Sequence, residues 1–365
     1  MTYALGLFYL PRPGRVAQYL KAKLGSPRIG ARTAEEVLAC YGLKLVKPPR
    51  NLPFGWRSRN VIVETSSGNK VLKLYRSGWQ LPAIRHEHSI ISRLNSVHFP
   101  APRLLTTQAG ETVAGHDGMF YGLFDYLEGT NLASSILLRS QQRSLMAATG
   151  RILAEFHHKL DGFQPSGEHH LGYKSLTQAR QRDWAWHETQ LRELPDRSEH
   201  IVDPHDRANA RWLAQNADRI SERLAHMGEL VENVQLPRLV IHGDFGIHNV
   251  TYHHDGTLTM HDFELARVEW RLIDIVVVLS RLRLEHSYEF MAAYQAKYPL
   301  TAEEWHFLPE VWQLYKLSGA ISYWNTYVEH GGSYRLTAAR ARIGDADWVL
   351  ANRRALLNFK ERFET

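Results

Sequence analysis

The fold of this chain is decided by two short stretches, His242-Gly243-Asp244-Phe245-Gly246-Ile247-His248-Asn249 and, thirteen residues further on, Asp262-Phe263-Glu264. An aspartate and an asparagine five residues apart in a loop, with another aspartate ending the next strand, can converge on one point. Phosphoryl transfer needs such convergence, because a carboxylate must receive the proton of a hydroxyl group and hard oxygen ligands must hold Mg²⁺ on the nucleotide phosphates. Asp244 suits the first role, and Asn249 and Asp262 suit the second.

These stretches resemble the aminoglycoside phosphotransferase and choline kinase superfamily, a branch of the protein-kinase-like fold. The catalytic loop of that superfamily reads His-Gly-Asp, then four residues, then Asn. The hairpin before Asp262 matches as well, as does a further aspartate, Asp274, at the start of the next helix. The resemblance covers about residues 55–285 and implies an enzyme that uses ATP and Mg²⁺ to phosphorylate a hydroxyl group of a small molecule. It implies Asp244 as the catalytic base, with His242 and Asp274 bracing the loop.

A lysine on the third strand is also implied by the resemblance, and Lys73 is the matching position. Glu87 lies on the apolar stripe of a helix predicted from about Leu81 to Leu94, so its carboxylate should face inward. A buried carboxylate needs a cationic partner, and Lys73 is the nearest candidate in the chain. We therefore predict a Lys73–Glu87 pair, which in this fold positions the α- and β-phosphates.

The adenine site follows from the resemblance alone, since an ordinary core strand ending in a turn has the same sequence pattern. The strand Tyr121–Leu127 would form the hinge, where the backbone carbonyl of Asp125 and the backbone amide of Leu127 would contact the adenine edge. The predicted apolar walls are Val61, Val71 and Phe124.

The phosphate-covering loop has a single glycine, Gly55, against the glycine-rich loop of protein kinases. Ser58 and Arg59 are its predicted phosphate contacts. No Gly-Lys dipeptide occurs in the chain, which excludes a Walker-type phosphate loop.

The element pattern predicts an α+β chain in three parts. Residues 1–50 form an N-terminal helical extension, with a capping box at Thr33–Glu36. Residues 51–127 form a nucleotide-binding N-lobe, a small antiparallel sheet with one helix. Residues 128–365 form a catalytic and acceptor-binding C-lobe with an embedded hairpin. Its helices are predicted at about 141–160, 176–194, 206–233, 271–283, 285–297, 302–329 and 337–363, the sixth opening on a capping box at Thr301–Glu304.

Composition narrows the class of protein. The chain has 365 residues, 44% of them hydrophobic, and a formal charge of +6 without a nucleic-acid-binding motif, so we expect no nucleic-acid partner. No run approaches the roughly 18 apolar residues that a membrane helix needs, so no membrane span is expected. The sole cysteine, Cys40, excludes an internal disulfide framework and fits the cytoplasm.

Two other functions compete with the kinase. A non-catalytic nucleotide-binding or scaffold protein would usually lack at least one of Asp244, Asn249, Asp262, Lys73 and Glu87, and all five are present. A metal-dependent phosphohydrolase finds support in the Asp203-Pro204-His205 stretch. That class also needs an aspartate where the chain has His248, and a later Gly-Asn-His that is missing.

The acceptor is left open by the residues. A sugar, an amino alcohol, an amino acid or an aminoglycoside-like compound all remain candidates. A series of aromatic residues recurs near helical spacing in the C-terminal part, and it is either a packed core face or a wall that stacks on the acceptor. Its members are Trp312, Tyr315, Tyr323, Trp324 and Tyr327.

Overall fold

The structure is a computed structural model, and it describes residues 29–51, 59–75, 79–131, 139–169, 201–282 and 284–363. The predicted α+β, protein-kinase-like class is confirmed. The chain forms two compact units. One comprises Met1–Tyr173, His242–Arg267 and Glu285–Tyr298, and the other comprises Lys174–Ile241, Val268–Leu284 and Pro299–Thr365. The three-part division at residues 50 and 127 stays a prediction.

A five-stranded antiparallel sheet dominates the first unit, with the strand order β1-β2-β3-β5-β4. The strands are β1 (Leu45–Asn51), β2 (Arg59–Thr65), β3 (Gly68–Leu74), β4 (Ala114–His116) and β5 (Met119–Asp125). Helix α1 (Ala31–Cys40) buries Ala34, Val37 and Leu38 against one face of this sheet. Helix α2 (Leu81–Ser96) brings Glu87 to Lys73, whose side chain is on the opposite face. The sheet therefore lies between two helices.

The N-terminal segment differs from our prediction in two respects. Helix α1 begins at Ala31 after Gly30, without a side-chain cap, so the capping box predicted at Thr33–Glu36 is wrong. Residues 45–50, which we placed in the helical extension, belong to β1, and β1 pairs with β2 from Leu45 opposite Thr65 to Asn51 opposite Val61. Pro48 and Pro49 are tolerated because β1 is an edge strand with irregular pairing.

The first unit also contains a second, smaller sheet with the strand order β6-β8-β9. Its strands are β6 (Thr130–Asn131), β8 (Val250–Tyr252) and β9 (Leu258–Met260), with the predicted hairpin turn between the last two. Helix α3 (Arg139–Lys159) meets α7 (Leu284–Lys297), and a Cβ on Gly150 would lie 2.2 Å from the Phe290 carbonyl oxygen. Only glycine permits this approach of the two helices.

The second unit is mainly helical. Its elements are α4 (Pro204–Gln215), α5 (Ala217–Asn233), the pair β7 (Arg238–Ile241) and β10 (Arg267–Trp270), α6 (Leu272–Leu279), α8 (Ala302–His330), α9 (Ser333–Ala351) and α10 (Arg353–Leu357), with a final 3₁₀ turn at Asn358–Phe363. The capping box at Thr301 and Glu304 is present as predicted. The single helices predicted at 206–233 and 337–363 are wrong, because the first is interrupted at Asn216 and the second at Asn352. The helix predicted at 176–194 lies outside the described residues.

A buried ion pair fixes the start of α8 in the second unit. Arg271 Nε donates to Glu304 Oε1 at 2.7 Å, and Arg271 Nη2 donates to Glu304 Oε2 at 2.6 Å. Glu304 is fully buried and Arg271 is 3% exposed. Glu304 Oε2 also accepts a hydrogen bond from the backbone amide of Thr301. We call this arrangement the Arg271 pair.

Among the described residues, no helix is both long and apolar enough to cross a lipid bilayer.

Candidate active site

Lys73 and Glu87 form the ion pair that the sequence predicts. Strand β3 presents Lys73 toward α2, and Lys73 Nζ lies 2.7 Å from Glu87 Oε1. The exposed fractions of the two residues are only 7% and 3%. Burial lowers the pKa of Lys73, but the carboxylates around it outweigh that effect and hold the pKa well above its usual range. Lys73 is therefore a fixed positive charge in a site with little water.

Glu264 is a second carboxylate on Lys73, which the sequence analysis did not identify as a site residue. Its Oε1 lies 3.0 Å from Lys73 Nζ. The signal was visible, because Glu264 occupies the position where many kinases have glycine after Asp-Phe. A 3₁₀ turn, Phe263–Leu265, directs the side chain inward to a position that is 8% exposed. We call Lys73, Glu87, Asp262 and Glu264 the Lys73 cluster.

Two uncharged side chains, Tyr75 and His88, pack beside Lys73. The Tyr75 ring packs 4.8 Å from Lys73 Nζ, and its hydroxyl is 2.7 Å from His88 Nε2. Burial, and secondarily the charge of Lys73, lowers the pKa of His88 to about 3, so the ring is uncharged at neutral pH. His88 therefore contacts the cluster through Tyr75 without adding another positive charge.

Asp262 is a member of the cluster whose carboxyl pKa is strongly raised. Its backbone has the left-handed conformation, φ 67° and ψ 65°, which an aspartate tolerates better than most residues. Burial, followed by the charges of Glu264, Glu87 and Asp244, raises the pKa of its carboxyl group to about 7 against the opposing effect of Lys73. Three carboxylates thus share one ammonium group. Among these four residues, the negative charges would exceed the positive charge by two if all three carboxylates ionised.

This charge shortage is what a divalent cation would remedy. The side-chain oxygens of Asp262 and Asn249 are hard donors of the kind that Mg²⁺ prefers. Asn249 Nδ2 donates to the Asp244 carbonyl oxygen at 3.1 Å, which leaves Asn249 Oδ1 as the atom able to bind a cation. The described residues contain no group of three His, Cys, Asp or Glu residues arranged as a metal site. The donor set fits a magnesium ion that is also held by phosphate oxygens, as in kinase sites.

The His242–Asn249 loop is anchored by its own backbone and by His242. The His242 ring is fully buried, and its Nε2 donates to the His261 carbonyl oxygen at 3.0 Å. The backbone amide of His261 donates in turn to the Asn249 carbonyl oxygen at 3.0 Å. These bonds tie the loop to the segment that follows β9 and contains Asp262, and the convergence of the three side chains stays a prediction.

Gly243 allows the loop to turn. Its φ is +80°, and a Cβ there would lie 2.5 Å from the Leu265 carbonyl oxygen and 2.6 Å from Arg267 Nη1. The following residue, Asp244, is partly exposed, with 39% of its side chain accessible, and lies 3.6 Å from His248 Nε2. An accessible carboxylate on a rigid loop can accept a proton from a hydroxyl group. Asp274 is buried in α6, and its bracing role stays a prediction.

The sheet face beside Lys73 agrees with only part of the predicted adenine site. Val71 and Phe124 are directly opposite each other in β3 and β5, on the same face as Lys73. Val61 is opposite Leu72 on the other face, packed in the core against α1. Val61 is therefore a wrong prediction for this wall, since side chains alternate along a strand. Ile62, opposite Val71, takes its place.

The remaining predicted nucleotide contacts are less constrained by the structure. Asp125 ends β5, where its carboxylate lies 3.0 Å from Lys70 Nζ, and Leu127 follows at a half-buried position. Arg59 begins β2. Ser58 lies outside the described residues. The roles of these four residues stay predictions.

The aromatic series of the second unit is largely involved in packing. Trp312 and Trp324 are buried, and Trp324 stacks on Tyr327 with ring centroids 5.8 Å apart. The Arg342 guanidinium lies over the rings of both Tyr315 and Tyr323, at 5.3 and 5.4 Å. The tyrosine contacts favour the packed-core alternative for these residues.

Comparisons with protein families and with solved structures both give phosphotransferases. A family model described as a phosphotransferase enzyme family matches residues 50–311. No match was found among curated protein sequences. Among solved structures, an aminoglycoside phosphotransferase from Alicyclobacillus acidocaldarius is similar, with 18% identity and a TM-score of 0.61 over 92% of this chain and 98% of that one.

Two other solved structures are similar over comparable lengths. A microcompartment-associated aminopropanol kinase has 17% identity and a TM-score of 0.60, covering 88% of this chain and 98% of its own. The amicoumacin kinase in complex with AMP-PNP, Ca²⁺ and Ami has 15% identity and a TM-score of 0.60, covering 90% of this chain and 96% of its own. At these identities the similarity shows the fold.

Proposed function

The chain belongs to the phosphotransferase enzyme family, and on that premise we propose that it uses ATP and Mg²⁺ to phosphorylate a hydroxyl group of a small molecule. The observation that carries this proposal is the Lys73 cluster beside the His242–Asn249 loop. A buried lysine held by Glu87 and Glu264 is positioned to bind phosphate oxygens. Burial and the neighbouring carboxylates raise the pKa of the adjacent Asp262 to about 7, so a metal–nucleotide complex would stabilise its ionised form.

Each residue has a distinct role in this proposal. Asp244 accepts the proton of the acceptor hydroxyl as that oxygen attacks the γ-phosphorus, and the bond from phosphorus to the β,γ-bridging oxygen breaks. Lys73 binds the α- and β-phosphates, with Glu87 and Glu264 fixing its position. Asn249 and Asp262 would hold Mg²⁺, which when bound neutralises charge on the phosphates. His242 holds the loop through its bond to the His261 carbonyl oxygen.

The nucleotide would lie on the Lys73 face of the sheet, with Val71, Ile62 and Phe124 as apolar contacts and the backbone of Asp125 and Leu127 at the adenine edge. Similar proteins support nucleotide and divalent metal use, since one was solved with AMP-PNP and Ca²⁺ and another, a spectinomycin phosphotransferase, with ADP. The single cysteine favours a cytoplasmic protein. A non-catalytic nucleotide-binding protein is the alternative.

The test measures nucleotide binding and turnover separately. Thermal shift with ATP and Mg²⁺ reports binding, and ATP consumption is screened against sugars, amino alcohols, amino acids and aminoglycosides. Asp244→Ala should abolish acceptor-dependent turnover, a loss on the order of 10²–10⁴, while nucleotide binding persists. Glu111→Gln, a change at an exposed carboxylate outside the site, is the matched control. Binding without turnover would favour the non-catalytic alternative, and a chain that binds no nucleotide would refute the kinase.

A further inference from the structure

A separate cavity lies within the second unit, where the end of α6 meets α8 and α9. Its volume is about 350 Å³, which is within the range of roughly 300–1,000 Å³ typical of small-molecule sites. Its wall combines apolar side chains such as Leu279 with two indoles, a hydroxyl group and one ion pair. This mixture of a mainly apolar wall and a few polar groups is typical of a ligand site.

The two indoles form the apolar part of the wall. The ring centroids of Trp312 and Trp348 are 6.2 Å apart, and the ring planes meet at 59°. Trp312 is 6% exposed, whereas Trp348, on the next helix, is 46% exposed. A large aromatic side chain that lines a cavity and is partly exposed has apolar surface available for contact with a ligand.

Trp312 also carries an unmatched polar group. Its indole Nε1–H is buried and has no hydrogen-bond partner among the described residues. Buried donors are normally paired, since an unmade hydrogen bond is costly. This nitrogen is closed to a water-sized probe, so Trp312 contributes the apolar part of its ring to the cavity wall.

The ion pair in the wall is neutral overall. Lys316 Nζ, on α8, lies 2.7 Å from Asp345 Oδ2, on α9. The lysine side chain is 9% exposed and the aspartate side chain is 55% exposed. The pair thus offers a donor and an acceptor side by side with no net charge, which suits two adjacent hydroxyl groups. A ligand with a single net charge would meet the opposite charge and the like charge together.

We propose that this cavity binds a neutral, polyhydroxylated ring, that is, a monosaccharide or cyclic polyol. The apolar C–H face of such a ring packs on Trp348, and adjacent hydroxyls pair with Lys316 and Asp345. Ser280 adds a further hydroxyl to the wall. The proposal rests on the cavity alone and does not require the chain to be a kinase.

Calorimetry and saturation-transfer NMR on the full chain without nucleotide test this site. The probes are D-glucose, D-ribose and myo-inositol, with choline as a cationic comparison and L-glutamate as an anionic one. We expect at least one of the three neutral rings to bind, and to bind more tightly than choline and glutamate. If none of the rings binds, or if choline or glutamate binds more tightly, the proposed ligand class is wrong.

Variants locate the binding. Trp348→Ala should weaken it roughly tenfold or more. Leu350→Ala is the matched control, because Leu350 is on the same helix, is 50% exposed and does not line the cavity. Unchanged binding in Trp348→Ala would refute the site. Asp244→Ala should bind the ring normally, so this proposal and the kinase can fail independently.

Discussion

The Lys73 cluster and the Arg271 pair are both buried charged sites, but they are built differently. In the Arg271 pair, one guanidinium meets one carboxylate through two hydrogen bonds, and both groups belong to the second unit. In the Lys73 cluster, one ammonium group faces Glu87, Glu264 and Asp262, and burial with these neighbours raises the pKa of Asp262 to about 7. Burial of charge alone therefore does not indicate function. An excess of carboxylates over cations among the described residues of the Lys73 cluster is the feature that favours binding of a further cation.

Removing the single cation from each site is the most severe test of this contrast. Lys73→Met should reduce turnover by a factor on the order of 10²–10³, since a preorganised charge on the phosphates is lost. Mg²⁺ should restore part of the lost thermal stability, because it replaces some of the missing positive charge. The measurements are kcat and the unfolding temperature with and without Mg²⁺.

Lys47→Met, at an exposed lysine paired with Glu64, is the control for the first variant. Turnover within a factor of about three of the parent would contradict the role of Lys73.

Arg271→Met should instead act on stability. It leaves Glu304 buried without its partner, so the free energy of unfolding should fall by about 3–5 kcal/mol. Urea titration measures this loss, and Mg²⁺ should not reverse it. Arg219→Met is the matched control in the same unit, because Asp347 keeps its second partner, Arg223, and the cost should stay within about 1 kcal/mol. Recovery of Arg271→Met by Mg²⁺ would remove the distinction between the two sites.

The pH dependence of protein stability should also distinguish the Lys73 cluster from the Arg271 pair. The folded pKa of Asp262 is about 7, above the ordinary value of 3.8, so the folded chain holds a proton between these values that the unfolded chain releases. The contribution of this group to stability is therefore present below about pH 4 and falls as the pH rises toward 7. Mg²⁺ should stabilise the protein more at pH 8 than at pH 6. Asp262→Asn should flatten both trends, and an unchanged Mg²⁺ response in that variant would rule out Asp262 as the ligand.

The smallest effect is expected for Glu264→Gln, which removes one of the three negative charges. The metal-free protein should become slightly more stable above pH 7, because the repulsion of Asp262 weakens. Lys73 keeps Glu87 but loses its second anchor, so the KM for ATP should rise up to about tenfold with a smaller change in kcat. Glu87→Gln serves as the comparison, since it breaks the shorter contact to Lys73. A lower stability of Glu264→Gln at pH 8 would show that the cluster is balanced after all.

The parts of the site that were predictable from the sequence are those set by local spacing. The loop from His242 to Asn249 and the turn at Asp262 are each contiguous motifs, and hydrogen bonds through His261 connect them. The Lys73–Glu87 pair was predictable because a glutamate on an apolar helix stripe needs a buried cation.

Other features could not be predicted from the sequence, because they depend on which elements of the fold pack against each other. Val61 and Ile62 are both apolar, and only the packing of α1 on one face of the sheet decides which of them is beside Lys73. Strand β1 contains two prolines, which argue against a strand unless it is known to lie at the edge of the sheet. The unusual glutamate at position 264 is visible in the sequence, but its contact with Lys73 was not predictable, since a 3₁₀ turn rather than a regular element directs it there.

The edges of the five-stranded sheet bear on how the protein behaves at high concentration. One edge is β1, which lacks two backbone N–H donors at Pro48 and Pro49, and the other is β4, which is only three residues long. An incoming strand from a neighbouring molecule would find few consecutive hydrogen-bonding groups on either side. The same prolines that disguise β1 in the sequence therefore protect the sheet against strand-to-strand aggregation.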